Sequence, residues 1–418
     1  MSAARAAYTA GLYALLPHAF AHLYWRSRRE PAYRRHIGER FGFFTAAAAT
    51  APVIWIHAVS VGETRAVEPL VRELMARYPT HRVLLTHMTP TGRSAGESLF
   101  GDRVLRAYLP YDFPGAVGRF LEHFQPRIGF LLETEVWPNL IAAARRRAIP
   151  LYLVNGRLSE RSFRRYRRFA GLSRESFSSL AGVAAQTEHD AARLRTLGAR
   201  NVIVSGNLKF DATPAAGLVQ LGREWRRQYG ERPVLLAAST RDGEEALLVD
   251  ALIEINIAGL LLLLVPRHPQ RFDEVAALLE RRGLPYVRRS TGAAVSAGTQ
   301  VVLGDTMGEM AAYYAACDLA FVGGSLLPFG GQNLIEACAL GKPVLIGPYT
   351  YNFSDAAEQA IGAGAATRVQ SAQELALNAQ RLLAAPEVIA KMGACAAAFS
   401  RAHQGATARV LDLIGSVA

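Results

Sequence analysis

The sequence predicts an α/β protein with two tandem domains, each built on a parallel β-sheet covered by helices. The chain has 418 residues, more than a single hydrophobic core usually serves. Its hydrophobic fraction of 50% is enough to fill two cores. Short β-branched runs alternate with amphipathic segments of helical length, and this alternation is typical of parallel sheets joined by crossover helices.

The predicted strands fall into two sets with a break in the rhythm between them. A polar segment containing Pro and Gly, at 213–232, predicts a linker at that break. We therefore expect Rossmann-like domains at 45–212 and 233–418, the first entered through an Ala-rich connector at 45–51. Their sheets would face a central cleft, where such folds bind ligands. The predicted strands are 53–57, 83–86, 104–109, 128–133, 151–154, 183–186 and 202–205, then 234–238, 260–265, 286–288, 301–303, 319–322, 344–346 and 366–369.

Charge and composition narrow the function classes. The formal net charge is +12, which is compatible with nucleic acid, anionic lipid or a phosphorylated substrate. No DNA-reading motif is present, so we expect no nucleic-acid partner, and HExxH, P-loop and Gly-x-Ser-x-Gly motifs are also absent from the sequence. Cys317, Cys338 and Cys395 are odd in number and far apart. They predict neither a disulfide framework nor a zinc site, and they favour a reducing, cytoplasmic compartment.

The amino-terminal segment, 1–44, begins with an apolar, aromatic-rich stretch at 8–25, and six arginines follow it between residues 26 and 40. We favour a monotopic membrane anchor, with the arginines on anionic head groups. A transmembrane span, a signal peptide cleaved near 19–21 and an ordinary packed helix are the alternatives; the stretch is shorter than about 20 residues and contains Pro17. The side chains expected in the lipid interface are Leu12, Leu15, Leu16, Phe20, Leu23 and Trp25.

The segment 57–64 directly follows the first predicted strand and leads into a predicted helix. Gly62 would let the backbone turn tightly, and Glu63 would project from the end of the strand into the cleft. A carboxylate there can accept a proton from an attacking hydroxyl group, so Glu63 is our candidate catalytic base. The alternative is that Glu63 only stabilises the positive start of the helix.

Two glycine pairs follow a predicted strand of the second domain, at 323–324 and 330–331. Gly330 and Gly331 would open a helix whose free backbone NH groups bind phosphate. Glu336, three residues past Asn333, would bind two hydroxyls of a ribose. The alternative is a plain glycine turn before a helix.

Other predicted strand ends also carry polar residues, which is typical of a binding site at that edge of a sheet. Lys209, at the domain junction, would neutralise a phosphate leaving group or, alternatively, pair with Asp211 in an interdomain salt bridge. In the second domain the candidate binding residues at strand ends are Ser239, Thr240, Arg267, His268, Met307, Gly308 and Glu309.

Two segments of the first domain are candidates for holding an acceptor. Glu133 and Glu135 end a predicted strand beside Trp137. The segment 157–168, which begins at Arg157, is basic and interleaved with aromatic residues, and guanidinium groups suit the phosphate of a lipid. A solvated helix face is an equally open interpretation of that segment.

Together these segments resemble the Kdo transferases, the enzymes that transfer 3-deoxy-D-manno-octulosonic acid (Kdo) from its CMP-activated form to lipid A. The resemblance covers nearly the whole chain and is carried by many motifs in order. They are SVGE (60–63), TPTG (89–92), LPYD (109–112), ETEVWPN (133–139), NLKFD (207–211), VPRHP (265–269), GDTMGE (304–309), FVGGS (321–325), GGQNLIE (330–336) and GPYTYNF (347–353).

The resemblance implies a GT-B fold and transfer with inversion at the anomeric carbon, with no metal or other cofactor. It places Glu63 on the family's proposed general base, and Arg267, Met307, Asn333 and Glu336 on segments lining the CMP pocket. Because base and donor pocket fall in different predicted domains, we expect Glu63 to act only when the cleft is closed. Ser60, Gly62, Thr64, Thr89, Glu133, Glu135 and Arg157 would lie on the acceptor side.

The partners implied are CMP-Kdo, a lipid A precursor (lipid IVA) and anionic lipid, at the cytoplasmic face of the bacterial inner membrane during lipopolysaccharide synthesis. One departure is Gln332, where the family commonly has His. Gln332 keeps a hydrogen-bond donor but loses a titratable charge, and we expect activity to be retained. The alternative functions are a nucleotide-sugar epimerase on the same scaffold, another sugar transferase at the membrane surface, or a non-catalytic lipid-binding module.

Overall fold

The computed structural model describes residues 2–45 and 51–415. It divides into two compact units: unit 1 comprises Met1–Ala212 with Gln404–Ala418, and unit 2 comprises Thr213–His403. Most of the Ala-rich connector predicted at 45–51 lies outside the described residues.

Unit 1 is built, over its described residues, on a parallel sheet of seven strands in the order β3-β2-β1-β4-β5-β6-β7. Strand β1 is central and buried along its whole length, because helices cover both faces of the sheet. The strands are β1 (Val53–His57), β2 (Arg82–His87), β3 (Val104–Tyr108), β4 (Pro126–Leu132), β5 (Leu151–Gly156), β6 (Gly182–Ala185) and β7 (Val202–Val204). The helices are α1 (Ala3–Ala14), α2 (Leu16–Arg29), α3 (Val61–Ala66), α4 (Glu68–Arg77), α5 (Pro90–Phe100), α6 (Pro114–Phe124), α7 (Pro138–Arg146), α8 (Glu160–Arg168), α9 (Ala170–Phe177) and α10 (Glu188–Thr196), with α19 (Ala406–Ile414) from the end of the chain.

Three crossover helices of unit 1 begin in the same way. Ser60, Thr89 and Thr187 precede α3, α5 and α10, and each side chain accepts a hydrogen bond from the backbone NH three residues further on. Such caps satisfy one of the free NH groups of a helix start. They fix where each chain segment turns from the carboxyl end of its strand into its helix.

Unit 2 repeats this architecture with a second parallel sheet of seven strands, ordered β10-β11-β9-β8-β12-β13-β14 in the part of the chain that the structure describes. Its strands are β8 (Val234–Thr240), β9 (Leu261–Pro266), β10 (Tyr286–Arg288), β11 (Val301–Leu303), β12 (Leu319–Val322), β13 (Val344–Ile346) and β14 (Ala366–Arg368). Its helices are α11 (Ala216–Gln228), α12 (Glu244–Ile255), α13 (Phe272–Arg281), α14 (Met310–Ala316), α15 (Ile335–Ala339), α16 (Ser354–Gly362), α17 (Ala372–Leu383) and α18 (Pro386–Ala402).

The predicted α/β class is confirmed, and every predicted strand is present with bounds within two residues of the prediction. The segment predicted as a linker instead contains a helix, α11, which packs closely on α14. Gly222 makes that approach possible: a Cβ atom there would lie 2.1 Å from the carbonyl oxygen of Ala312. Trp225 on the same helix is buried against the ring of Tyr313, at 5.2 Å between ring centroids.

The end of the chain also differs from the predicted second domain, because α19 packs in unit 1. Asp211 accepts hydrogen bonds from the backbone NH groups of Gly405 (2.7 Å) and Thr407 (2.5 Å) at the start of that helix. Val410 and Leu411 are buried in the core of unit 1. Apolar side chains and a capped helix start thus return the last segment to the first sheet.

The amino-terminal segment forms two helices, α1 and α2, and α1 packs on unit 1. Arg5 pairs with Glu175 at 2.8 Å, and the amide of Asn139 donates to the hydroxyl of Thr9 at 3.0 Å. Leu23, which we expected in lipid, is buried, so that expectation is wrong for this side chain. Leu15, Phe20 and Trp25 are exposed, and Leu12 and Leu16 are partly buried.

We find no helix within residues 2–45 and 51–415 that is by itself long and apolar enough to cross a bilayer. One bent pair, Ala372–Leu383 with Pro386–Ile414, passes that test by length and composition only.

Candidate active site

Each sheet has a point where its strand order reverses, and several of the predicted site residues lie at the strand ends beside it. In unit 1 the chain leaves β1 and β4, which are adjacent and parallel, in the segments that carry Glu63 and Glu133. In unit 2 it leaves β8 and β12 in the segments that carry Ser239 and Gly323. Open α/β sheets bind their ligands at this position, outside the carboxyl ends of the strands.

Three hydrogen bonds fix Glu63 at the start of α3, two accepted by its side chain and one donated by its backbone. Its Oε2 accepts from the backbone NH of Val59 at 2.9 Å, and its Oε1 accepts from the hydroxyl of Ser60 at 2.9 Å. The backbone NH of Glu63 donates to the Ser60 hydroxyl oxygen at 3.4 Å. This arrangement is a capping box shifted by one residue, so the helix-start role that we kept open is real. It also fixes the orientation of the carboxylate.

The environment of Glu63 raises the pKa of its carboxyl group to about 7. Burial is the largest cause, and the negative charge of Glu133 is the second. The hydrogen bonds from Val59 and Ser60 act in the opposite direction and lower the pKa, whereas the charge of Glu135 raises it further. A carboxylate with a pKa near neutrality is suited to proton transfer, because both protonation states are accessible at physiological pH.

The loop after β4 brings two further carboxylates to this point. Glu133 has a left-handed backbone, with φ of 55°, an uncommon conformation for a residue that is not glycine. Glu135 accepts a hydrogen bond from the indole NH of Trp137 at 2.9 Å, and burial raises the pKa of Glu135. Backbone strain of this kind persists where the surrounding structure holds the residue in place.

The other residues predicted on the acceptor side hold the backbone in place around Glu63 and the ends of β4 and β5. Thr89 and Ser60 cap helices beside Glu63, and the Thr89 hydroxyl also donates to the carbonyl of Val59 at 3.1 Å. The carbonyl of Arg157 accepts a hydrogen bond of 3.0 Å from the Thr134 hydroxyl, which connects the ends of β4 and β5. Thr64 is fully buried and donates to the carbonyl of Ser60 at 2.8 Å, so its contacts are structural.

Gly62 differs from its predicted role. It lies inside α3 rather than in a tight turn, and its φ is not positive. A Cβ atom there would meet only the Ser60 hydroxyl, at 3.8 Å. The position is exposed and leaves space beside Glu63.

In unit 2, the buried carboxylate of Glu244 organises the loop after β12. Its Oε2 accepts from the backbone NH groups of Arg241 at 2.8 Å and Gly324 at 2.6 Å, and its Oε1 accepts from Leu326 at 2.9 Å. Gly323 cannot carry a side chain, because a Cβ atom would lie 2.6 Å from the Cα of Thr240. The ends of β8 and β12 are therefore in direct contact.

Ser239 and Thr240, both predicted, lie at this junction. Ser239 is left-handed with φ of 56°, and the Thr240 hydroxyl donates to Glu245 at 2.9 Å. The backbone NH of Arg267 donates to the carbonyl of Thr240 at 3.0 Å, which places the end of β9 beside the end of β8.

Three groups that can bind an anion gather at these strand ends. Burial lowers the pKa of His268, and the positive charges of Arg241 and Arg267 lower it further. Strands β8 and β9 are paired, so Arg241 follows the end of one strand, and Arg267 and His268 follow the end of its neighbour. Such a cluster favours a bound phosphate, which would offset the mutual repulsion of the cations.

The second glycine pair forms part of the same loop but does not open a helix, so that part of the prediction is wrong. Gly330 and Gly331 both have positive φ, of 92° and 77°, and α15 begins only at Ile335. The loop between the two glycine pairs is closed by a hydrogen bond of 2.6 Å from the backbone NH of Gly331 to the carbonyl of Gly324. The reason is steric: residues with positive φ cannot themselves be part of a right-handed helix, so the helix begins after this pair.

The polar residues after this pair lie together. The Asn333 amide donates to Glu336 at 3.0 Å, and its own oxygen caps Ile335 NH at 3.1 Å. Gln332 lies against Gly324: its amide nitrogen is 3.1 Å from where a Cβ of that glycine would be. Gln332 therefore lies against the backbone that Glu244 holds.

The segment after β11 is a separate part of unit 2's strand-end surface. Met307 is 57% exposed, and Gly308 is left-handed with open space around its Cα. Glu309 is held by Arg289 at 3.0 Å and by a hydrogen bond from Thr306.

Lys209, predicted as a donor-binding residue, lies in unit 1, whereas the other predicted donor residues lie in unit 2. It follows β7 in the short helix Leu208–Asp211, and its backbone NH donates to Asn207 at 3.0 Å. Its predicted alternative partner, Asp211, is engaged by the start of α19.

Sequence reasoning did not single out Glu244 or Glu245. A signal for Glu244 was available, because two adjacent acids open a helix directly after a candidate strand end. Within residues 2–45 and 51–415, no group of three or more His, Cys, Asp or Glu side chains is arranged to hold a metal ion.

The fold is that of a two-domain α/β protein in which each domain has its own parallel sheet. A glycosyltransferase from Rickettsia africae shares the fold over 88% of this chain and 99% of its own, with a TM-score of 0.60 and 13% identity. A UDP-GlcNAc 2-epimerase from Neisseria meningitidis covers 87% and 99%, with a TM-score of 0.59 and 16% identity. Both kinds of enzyme use this GT-B-type scaffold, so the fold does not choose between them.

Sequence similarity distinguishes between the two kinds of enzyme. The family described as 3-deoxy-D-manno-octulosonic-acid transferase (kdotransferase) matches residues 35–212. A 3-deoxy-D-manno-octulosonic acid transferase from Bordetella pertussis is 47% identical over 98% of each chain. The chain belongs to the Kdo transferase family and is a glycosyltransferase, as the motif resemblance implied.

Proposed function

We propose that this enzyme transfers Kdo from CMP-Kdo to a lipid A precursor, lipid IVA, with inversion at the anomeric carbon and without a metal ion. The observation that carries this proposal is the Glu63 carboxylate, fixed by Ser60 and Val59 at the switch point of unit 1 with its pKa raised to about 7. Membership of the Kdo transferase family is the reason for proposing Kdo as the transferred sugar.

Glu63 acts as the general base. As the acceptor hydroxyl oxygen forms its bond to the anomeric carbon of Kdo, its proton passes to the Glu63 carboxylate. The bond between that carbon and the phosphate oxygen breaks on the opposite side, and CMP leaves with the electron pair. One displacement of this kind inverts the anomeric configuration.

Unit 2 binds the nucleotide in this proposal. The cluster of Arg241, Arg267 and His268 supports a phosphate site, because guanidinium forks match phosphate oxygens and need no metal to do so. The positively charged groups would stabilise the negative charge that develops on CMP as it leaves. Asn333, on the adjoining loop, is hydrogen-bonded to Glu336 in the first turn of α15, and the two side chains suit the ribose hydroxyls.

We propose further that the enzyme works at the cytoplasmic face of the inner membrane. Leu15, between α1 and α2, and Phe20 and Trp25, on α2, are exposed, and exposed apolar side chains next to arginines favour an anionic lipid interface. Replacing Leu15 and Trp25 by Ser should reduce co-sedimentation with anionic vesicles. The matched control is Leu377→Ser, which removes a comparably exposed leucine from unit 2; equal loss in both variants would contradict this anchor.

A direct assay tests the reaction. Purified protein is mixed with CMP-Kdo, lipid IVA and EDTA, and the product is analysed by mass spectrometry and by NMR of the new anomeric linkage. We expect a Kdo-bearing lipid at the same rate with and without EDTA. No such product, a strict requirement for added Mg²⁺, or retained anomeric configuration would overturn the corresponding part of the proposal.

A further inference from the structure

Unit 1 contains a cavity of about 610 Å³ between α1, α8 and α9. Its walls are mainly apolar: Ala4 and Ala7 come from α1, and Tyr166, Phe169 and Leu172 come from α8, α9 and the residue between them. The volume is in the range of sites that bind small ligands. Neither the capping of α3 nor the chemistry of Glu63 uses this cavity.

One side of the cavity is formed by the loop that carries the acceptor-side carboxylates. Val136 and Pro138 line it, directly after Glu135. The Tyr166 hydroxyl donates to the carbonyl of Thr134 at 3.4 Å, so the wall of the cavity is bonded to that loop. An apolar ligand in the cavity would therefore lie next to the groups that face the acceptor.

The rim of the cavity is basic. Arg165 and Arg168 line it and are exposed, and both lie on α8, which carries five arginines. The exposed ring of Phe169 follows them, 64% accessible. Apolar walls beside exposed guanidinium groups complement a ligand with an alkyl chain and an anionic head.

We propose that this cavity binds one acyl chain of the lipid acceptor, with a phosphate of the same lipid on Arg165 and Arg168. The inference rests on the proposed function, because it assumes an acylated, phosphorylated acceptor. It assigns to α1 a role beyond membrane contact, since Ala4 and Ala7 complete the wall of the site. Chain length and acylation of the acceptor then determine its affinity.

Gly171 offers a clean test, because it lines the cavity and a Cβ atom there would meet nothing within 4 Å. It lies in α9 without positive φ, so Gly171→Phe fills the cavity at little cost to the fold. The matched control is Gly217→Phe in α11 of unit 2, where a Cβ atom also meets nothing.

The first measurement is calorimetric binding of dodecyl phosphate below its micelle concentration, with inorganic phosphate as the second probe. We expect Gly171→Phe to weaken dodecyl phosphate binding roughly tenfold or more, and Gly217→Phe to leave it unchanged. Inorganic phosphate should bind far more weakly. Equal dodecyl phosphate affinity in Gly171→Phe and the wild-type protein would overturn the proposal.

The second measurement compares transfer to lipid IVA and to its fully deacylated sugar. Gly171→Phe should raise KM for lipid IVA and leave KM for the deacylated acceptor unchanged; a similar rise for both would refute acyl recognition. Failure of the wild-type enzyme to use either acceptor would count against the proposed function. The dodecyl phosphate measurement would still show whether the cavity binds an alkyl chain. Sedimentation velocity identifies another occupant: a dimer lost only in Gly171→Phe, with lipid binding intact, would assign the cavity to a second copy of the chain.

Discussion

Glu63 and Ser60 are joined by two hydrogen bonds: the Ser60 hydroxyl donates to Glu63 Oε1 at 2.9 Å, and the Glu63 backbone NH donates to the same hydroxyl oxygen at 3.4 Å. The pair caps α3, and the Ser60 hydroxyl lowers the pKa that burial and the charge of Glu133 raise. The structural and catalytic interpretations of Glu63 are therefore compatible, because the bonds that start the helix also aim the base.

Ser60→Ala should make Glu63 a weaker acid. The Ser60 hydroxyl lowers the pKa of Glu63, so its removal raises that pKa and moves the acidic limb of the kcat/KM profile to higher pH. A shift of roughly 0.4–1 pH unit is expected, from a hydrogen bond worth about 0.5–1.5 kcal/mol. Thr187→Ala is the control, because it removes a similar cap from α10 and should leave the limb in place.

Glu133→Gln should have the opposite effect. The charge of Glu133 raises the pKa of Glu63, so neutralising it lowers that pKa and moves the acidic limb to lower pH by roughly one unit or less. The measurement is again kcat/KM against pH, with the exposed Glu97→Gln as control. A limb that moves upward in Glu133→Gln would show that another group controls it.

Glu244→Gln should damage the donor loop. The Glu244 carboxylate accepts hydrogen bonds from three backbone NH groups. In the variant, the NH2 group of the Gln side chain would face at least one of these donors, and that hydrogen bond would be lost. We expect a loss of about 1–3 kcal/mol in unfolding free energy and a higher KM for CMP-Kdo, with little change in KM for the acceptor. Glu254→Gln, on the exposed side of the same helix, should change neither quantity.

Gly330→Ala and Gly308→Ala form a matched pair. Both glycines are left-handed, with φ of 92° and 88°, so both variants carry the same backbone strain. At Gly330 a Cβ atom would also lie 2.4 Å from the Asn352 amide nitrogen, whereas at Gly308 it meets nothing within 4 Å. We expect a larger fall in thermal midpoint and in CMP-Kdo affinity for Gly330→Ala; equal effects would mean that backbone strain alone is responsible.

The strands were predictable because buried parallel strands are apolar along their whole length, as in β1, and end at glycine or polar residues. The return of α19 to unit 1 was not predictable, because its partner Asp211 lies almost two hundred residues earlier in the chain. The glycine pair at 330–331 was assigned to a helix start because the sequence does not show that both residues have positive φ.

The candidate site was predictable in part. Strand-end position identified Glu63, Glu133 and Arg267, since the carboxyl ends of parallel strands share one edge. The same rule included Thr64, although its side chain points into the core and bonds to Ser60. Glu244 escaped notice because its function depends on backbone NH groups from a loop eighty residues later.

The most direct test of the central claim is kcat/KM of Glu63→Gln measured across pH 5–9, with the exposed Glu73→Gln as control. Gln keeps the size of the side chain and its bond from Ser60 but cannot accept a proton. We predict a fall in kcat of roughly 10²–10⁴-fold, near-normal KM values and loss of the acidic limb near pH 7. Near-normal turnover with the limb intact would contradict the assignment of Glu63 as the base.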